Sequence, residues 1–185
     1  MKKNSLVVLT QCAILVALAV VARSFLSPII HWGGIQARVN VWQIFAQMTS
    51  VLFGPGWGGI SSASINILNL FMSTQGIWLW QIMVLDIGAA ILLGVLWKFV
   101  KCQNSFVRLL IVVSIVDIIY TVINTWILSL FISSMQGVPF LIMLVPRIIV
   151  ALGFIVPKVY VMKRVLTLYE KHTGKRGVRH QNSNN

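Results

Sequence analysis

The residues able to do chemistry are few. Against fifteen Lys and Arg the chain has three acids, Asp86, Asp117 and Glu170. Four of the bases, Arg23, Arg38, Arg147 and Lys158, and two of the acids, Asp86 and Asp117, lie in or beside long apolar runs. A charge inside a membrane is costly, so each such residue is a functional hypothesis whose partner has to be named. For Arg147 two readings stand side by side. It forms an ion pair with Asp86 or Asp117, or it holds a carboxylate of a ligand through charge-assisted hydrogen bonds. Arg38 has no acid in its neighbourhood of the chain, which favours a ligand role. Lys158 and Arg23 read as long side chains near helix ends, able to snorkel to the membrane surface.

Amides and tryptophans gather with these bases: Arg38, Asn40, Trp42 and Gln43; Asn66 and Asn69; Trp78, Trp80 and Gln81; Asn124, Thr125 and Trp126; and His31 with Trp32. A membrane-interface belt explains any single Trp. It does not explain the amides beside them. Asn and Gln glue helices together, or they supply the few oriented polar groups of an otherwise apolar pocket. The second reading is a concave site for a small, anionic, partly aromatic or amphipathic molecule.

Other chemistries lack their parts. A metal site usually needs a cluster of carboxylates, His or Cys, and three scattered acids do not build one. Cys12 and Cys102 read as ordinary small side chains. No GxxxxGK[ST] loop, HExxH pair or Gly-x-Ser-x-Gly elbow occurs. No metal, cofactor or catalytic residue is therefore expected, and energy for uphill movement of a solute would come from elsewhere.

The elements that position these residues follow from hydropathy. The chain is 58% hydrophobic and only 10% charged, with a mean hydropathy of +0.89. Soluble domains carry about 25% charged residues, and disorder needs low hydrophobicity. A pI near 10.6 suggests nucleic acid on its own, but the bases flank apolar runs and so report membrane topology. A spanning helix takes about 20 apolar residues. Six fit, over 5–27, 39–54, 58–73, 78–97, 106–132 and 140–163. The first is too long for a signal-peptide core and has no clear cleavage site. The expected class is an all-α integral membrane protein.

Lys2 and Lys3, then Lys98, Lys101 and Arg108, then Lys163, Arg164, Lys171, Lys175, Arg176 and Arg179 fall on one side of these six spans. The positive-inside rule makes that side the cytoplasm and puts both termini there. Residues 1–165 form one membrane domain, and 166–185 a mobile, basic cytoplasmic tail. The outer links are roughly 28–38, 74–77 and 133–139.

The inner half carries small residues. Ala13 and Ala17 stand four apart, a face on which another helix can lie closely. Gly54-Pro55-Gly56-Trp57-Gly58-Gly59 joins the second and third spans, with Pro ending one helix and glycines permitting a tight reversal. Internal packing is one explanation of both features, and contact with a partner membrane protein the other.

These pieces carry a resemblance. Arg38-x-Asn40, Leu52-Phe53-Gly54-Pro55-Gly56-Trp57-Gly58-Gly59, the small-residue helix after it and the Ala13-x-x-x-Ala17 pattern resemble the substrate-binding S components of energy-coupling factor vitamin transporters. Asn124-Thr125-Trp126-Ile127-Leu128-Ser129-Leu130, Gly137-x-Pro139-Phe140 and Pro146-Arg147 are similar to the folate group of that family. The resemblance covers nearly the whole chain to about residue 165. It implies a bacterial cell-membrane subunit, not itself an enzyme, that binds a water-soluble vitamin from outside. It further implies association with a transmembrane coupling protein and two cytoplasmic ATPases, whose ATP hydrolysis topples the subunit and releases the vitamin inside. The implied roles are Arg38 and Arg147 for the carboxylate, Asn40, Gln43, Gln81 and Asn124 for polar groups, and Trp78 and Trp80 for stacking or lid closure. Ala13, Ala17, Gly54 and Gly58 would meet the coupling protein. Asn40-Val41-Trp42-Gln43-Ile44 and the acid-free Ile65-Asn66-Ile67-Leu68-Asn69 depart from the folate pattern. The amide-rich rim places pantothenate ahead of folate, with both open. Two other classes remain open: an intramembrane enzyme using Asp86 and Asp117 on a lipid or isoprenoid, and a ligand-free accessory protein.

Overall fold

The computed structural model describes residues 2–26, 29–32, 35–38, 40–72, 80–102, 104–131 and 139–173, with side chains for all but 2–5, 29–32, 35–38, 72, 172 and 173. Six helices follow the apolar runs: α1 (Lys2–Phe25), α2 (Trp42–Phe53), α3 (Pro55–Met72), α4 (Trp80–Phe99), α5 (Ser105–Phe131) and α6 (Phe140–Thr173). Between α1 and α2 lie two strands, β1 (Ile29–Trp32) and β2 (Ile35–Arg38), where a loop was expected. They pair antiparallel, Ile29 with Arg38 and Trp32 with Ile35. Gly33-Gly34 separates them in sequence, a pair that two-residue hairpins favour. The expected outer link 74–77, and the expected link 133–139 as far as residue 138, lie outside the described residues.

Among the described residues four helices are long and apolar enough to cross a membrane: α1 over Leu6–Phe25, α4, α5, and α6 over Phe140–Lys171. The surface agrees with a membrane-embedded protein. Leu9, Ile14, Val84, Ile142, Val145 and Val156 are exposed, while Asp86, Asp117, Arg147 and Lys158 are buried. A soluble protein has the opposite arrangement. The expected spans over 39–54 and 58–73 do not reach this length and apolarity. α2 has 12 residues, about 18 Å at 1.5 Å per residue, against about 30 Å of hydrocarbon. The serines, asparagines and glycines of α3 lower its apolarity.

α2 has a different task, which its burial shows. Nine of its 12 residues, from Trp42 to Val51, are buried. Ile44, Met48 and Val51 enter one apolar cluster with Leu93 of α4, Val112, Val113 and Val116 of α5, and Ile155 and Val159 of α6. Trp42 and Ala46 enter a second with Ala19 and Ala22 of α1 and Ile65 of α3. α2 is thus the hub between an α1–α3 layer and an α4–α6 layer. Enclosed by protein, it need not span the hydrocarbon itself.

The turn after α2 is tighter than expected. Gly54 alone links α2 to α3, with φ +99°, a conformation that favours glycine. Pro55 takes the first position of α3, where its missing N–H costs nothing. Gly58 therefore lies inside α3 and is buried. A Cβ there would collide with the Ser50 side chain of α2. Its lack of a side chain serves packing inside the protein, which corrects its expected place on a partner-facing surface. Gly54 is half-buried in the turn, whereas Ala13 and Ala17 are exposed on α1.

Gly94 of α4 is a second close approach. An added Cβ would lie 2.7 Å from the Cα of Pro55, and backbone cannot rotate away. Gly94→Ala is expected to lower stability by about 1–3 kcal/mol through overpacking. Gly88 on the same helix has open space around it. Gly88→Ala is expected to be neutral or stabilising, since Ala is the better helix former. Thermal unfolding of the two variants in the same detergent checks the contrast.

α6 runs to Thr173, past the expected end of the span at 163. The segment 166–173, expected to belong to a mobile tail, is helical. Tyr169 in it meets Phe53 edge to face at 6.0 Å, so this part docks on the end of α2. The remainder, 174–185, lies outside the described residues. At this end Arg108 stacks over Trp97 at 4.0 Å and donates to its carbonyl, and Lys163 lies 5.2 Å over Phe106.

Candidate functional site

Polar side chains buried in the bundle form two layers. The layer nearer the hairpin begins on α1, where Arg23 Nη1 donates to Asn66 Oδ1 of α3 at 2.9 Å. The Arg23 guanidinium also lies 4.6 Å over the ring of Trp42, a cation–π contact. Asn66 passes the connection on. Its Nδ2 donates to Asp86 Oδ2 of α4 at 3.0 Å and to the Ser62 carbonyl. The Tyr120 hydroxyl of α5 abuts the same carboxylate, and Tyr120 neighbours Arg147 of α6. Arg147 Nη1 donates to Thr125 Oγ1 at 3.5 Å. Five helices thus contribute side chains to one polar layer.

The second layer is deeper. Lys158 of α6 donates to both oxygens of Asp117 on α5, at 2.9 and 2.8 Å. Gln47 Nε2 of α2 donates to Asp117 Oδ1 at 3.0 Å. Lys158 is 2% exposed. The expectation that it snorkels is wrong. α6 continues fifteen residues beyond it to Thr173, about 22 Å at 1.5 Å per residue, which a lysine stem cannot cover. Arg23 turns inward for a related reason, since Asn66 and the Trp42 face offer partners that the surface does not. Asp117 has Lys158 as its partner, which assigns one of the two acids proposed for Arg147.

Local sequence explains the layering. On α5, Asp117, Tyr120, Thr121, Asn124 and Thr125 recur at i, i+3, i+4, i+7 and i+8, one face of a helix. On α6, Val145-Pro146-Arg147-Ile148-Ile149-Val150 is echoed eleven residues later by Val156-Pro157-Lys158-Val159-Tyr160-Val161. Eleven residues make three turns, so Arg147 and Lys158 share the face that meets α5. Each cation follows a proline inside the helix, where the helical bond to the carbonyl four residues back is missing.

The other expected site residues scatter. Gln43 is buried and Asn40 half-buried at the start of α2. Gln81 and Asn124 are half-buried, and each holds a buried carbonyl oxygen without a hydrogen-bond partner among the described residues. Trp80 is 60% exposed at the start of α4. Trp78 lies outside the described residues. Arg38 ends β2, which packs against α6, but its side chain is also outside them. Sequence reasoning missed Arg23, Gln47, Tyr120 and Lys158 as members of these layers. The Pro-cation echo on α6 was a signal for Lys158 and the α5 stripe one for Tyr120.

Chemically, the hairpin-end layer offers guanidinium N–H donors from Arg23 and Arg147 beside the Asp86 carboxylate and the Tyr120 hydroxyl. Among the described residues no three His, Cys, Asp or Glu come together as a metal site. Asp86 and Asp117 sit in separate layers, each already hydrogen-bonded. Comparison with family models, curated proteins and solved structures finds no match.

Proposed function

We propose that this chain is the substrate-binding membrane subunit of an energy-coupling factor importer for a water-soluble, anionic vitamin, pantothenate ahead of folate. In this reading it sits in a bacterial cell membrane with all six helices as spans and both termini in the cytoplasm. The hairpin then closes the outer end. A transmembrane coupling protein and two cytoplasmic ATPases would be its partners, with exposed Ala13 and Ala17 on α1 as a contact surface.

The observation that carries the reading is the buried, cation-rich layer at the hairpin end. Half-buried Arg23 and buried Arg147 lie there with Asn66, Asp86, Tyr120 and Thr125, within a membrane-embedded bundle. Guanidinium groups in such a setting suit an anionic ligand, which they can hold through charge-assisted hydrogen bonds. The motifs around Arg38, Gly54 and Asn124 support the same family from sequence.

The test is direct. The purified chain, without nucleotide or partner, is titrated with water-soluble vitamins and followed by intrinsic fluorescence of its seven tryptophans. A nanomolar-to-micromolar Kd for one carboxylate vitamin is the expected result. A flat response to every vitamin, with no change in melting temperature, overturns the reading.

A further inference from the structure

A further group of charges lies at the end of α4, α5 and α6 opposite the hairpin. Its level in the membrane follows from α4. That helix has 20 residues, Trp80–Phe99, about 30 Å at 1.5 Å per residue, which matches the hydrocarbon thickness. Lys98 and Phe99 therefore stand at one boundary, with Lys101 just beyond. Arg108 of α5 donates to the Trp97 carbonyl and stacks over the Trp97 ring at 4.0 Å, so the start of α5 shares this level. Lys163 of α6 lies 5.2 Å over the ring of Phe106 on α5, which brings the α6 cations to it as well. Beside Lys163, Arg164 Nε and Nη2 donate to the Tyr160 hydroxyl at 3.1 and 2.8 Å.

We infer that this end of α4, α5 and α6 is a binding surface for an anionic phospholipid, its headgroup phosphate drawn by Lys98, Lys101, Lys163 and Arg164. Membrane topology explains the sign of these residues but not their setting. Lys163 and Arg164 rest against aromatic side chains of the same boundary, which places them before a lipid arrives, and all four cations are exposed. Glu170, six residues beyond Arg164, is the one acid on this part of α6 and forms no ion pair among the described residues. Toward the membrane centre the surface turns apolar. Val107 and Ile111 of α5 and Val156 of α6 are exposed there, and Phe99 beside the bases is 77% exposed. A nucleic acid or a soluble acidic peptide meets only the bases, whereas a phospholipid meets the bases with its phosphate and the apolar side chains with its acyl chains. Basic pockets between membrane helices bind anionic headgroups for this reason. This surface depends on the membrane embedding of the chain and not on the vitamin site. It lies on the α4–α6 layer, which leaves the exposed Ala13 and Ala17 of α1 open.

The experiment titrates the purified chain, in neutral detergent, with phosphatidylglycerol or phosphatidylcholine of identical acyl chains and counts bound lipid by native mass spectrometry. A lysine near an anionic surface contributes about fivefold in affinity. Wild type is therefore expected to hold phosphatidylglycerol at least about 25-fold more tightly than phosphatidylcholine, and Lys101→Gln/Lys163→Gln to bring that ratio below about fivefold. Lys171→Gln/Lys175→Gln removes the same charge farther along the chain, since Lys171 lies eight residues past Lys163, about 12 Å along the helix. That pair is expected to keep the wild-type ratio. An equal loss in both pairs overturns the inference and leaves only a diffuse attraction by net charge. A wild-type ratio near one overturns it without any variant, should the double variant fail to fold, and leaves the bases as topology markers or a contact for a protein partner. Displacement of the lipid by millimolar inorganic phosphate or glycerol 3-phosphate also overturns it, since the occupant is then a soluble phosphate.

Discussion

Lys158→Met is expected to be among the most destabilising single substitutions in this chain, lowering stability by about 3–5 kcal/mol. Methionine fits the volume of the lysine stem, so packing changes little. What is lost is the cation 2.8 Å from Asp117, at a lysine only 2% exposed. The carboxylate then keeps one donor, Gln47 at 3.0 Å, and a single amide does not replace an ammonium. Hydrocarbon around the bundle removes the option of hydration from water. Lys158→Met combined with Asp117→Leu is expected to recover most of the loss. Replacing a whole buried pair by apolar side chains of similar size is often neutral, whereas breaking it is not. Thermal unfolding in detergent of both single variants and the double variant reads this cycle. A single variant within about 0.5 kcal/mol of wild type, the range of ordinary surface changes, would show that the pair is not a closed neutral unit.

The outcome for Lys158 also shows what the sequence made legible. Long apolar runs located all six helices, because hydrophobic length is a property of the chain itself. Pairings across the bundle are not. The depth of Asp117 against Lys158 depends on how α5 and α6 are registered, and α6 runs ten residues past the expected end of its span at 163. With the shorter helix Lys158 lay near a surface, and with the longer one it is enclosed. α2 was read as a span because its run was apolar. Its burial on nearly all sides follows from neighbours that no local window contains. The hairpin was hidden because four-residue strands are too short to show a period. Arg147 was legible as a buried charge, and its setting beside Thr125 and Tyr120 was not. Trp80 was grouped with the site for its type, and it is 60% exposed.

Arg147 carries the second large effect, and its prediction separates the two roles that sequence left open. On the proposed function, Arg147→Met is expected to weaken binding of a carboxylate vitamin by about 30-fold or more, since removing one partner of a buried charged contact costs about 2–5 kcal/mol. Arg147→Lys should fall between, keeping the charge and losing the planar fork that grips both carboxylate oxygens. Stability without ligand should respond differently from the Lys158 case. Asp117 already has its cation in Lys158, and Asp86 is held by Asn66. Lys158→Met strands a buried carboxylate at a position only 2% exposed, whereas Arg147 is 9% exposed and donates to a neutral hydroxyl. The ligand-free melting temperature of Arg147→Met should drop less than that of Lys158→Met. The rise on adding saturating vitamin should disappear, because that rise scales with the logarithm of ligand concentration over Kd. A structural role predicts the reverse: a ligand-free loss as large as that of Lys158→Met, with vitamin affinity of the folded fraction unchanged. Melting curves with and without ligand on the two variants decide between them. The same comparison tells whether the eleven-residue echo on α6 gives its two buried cations one task or two.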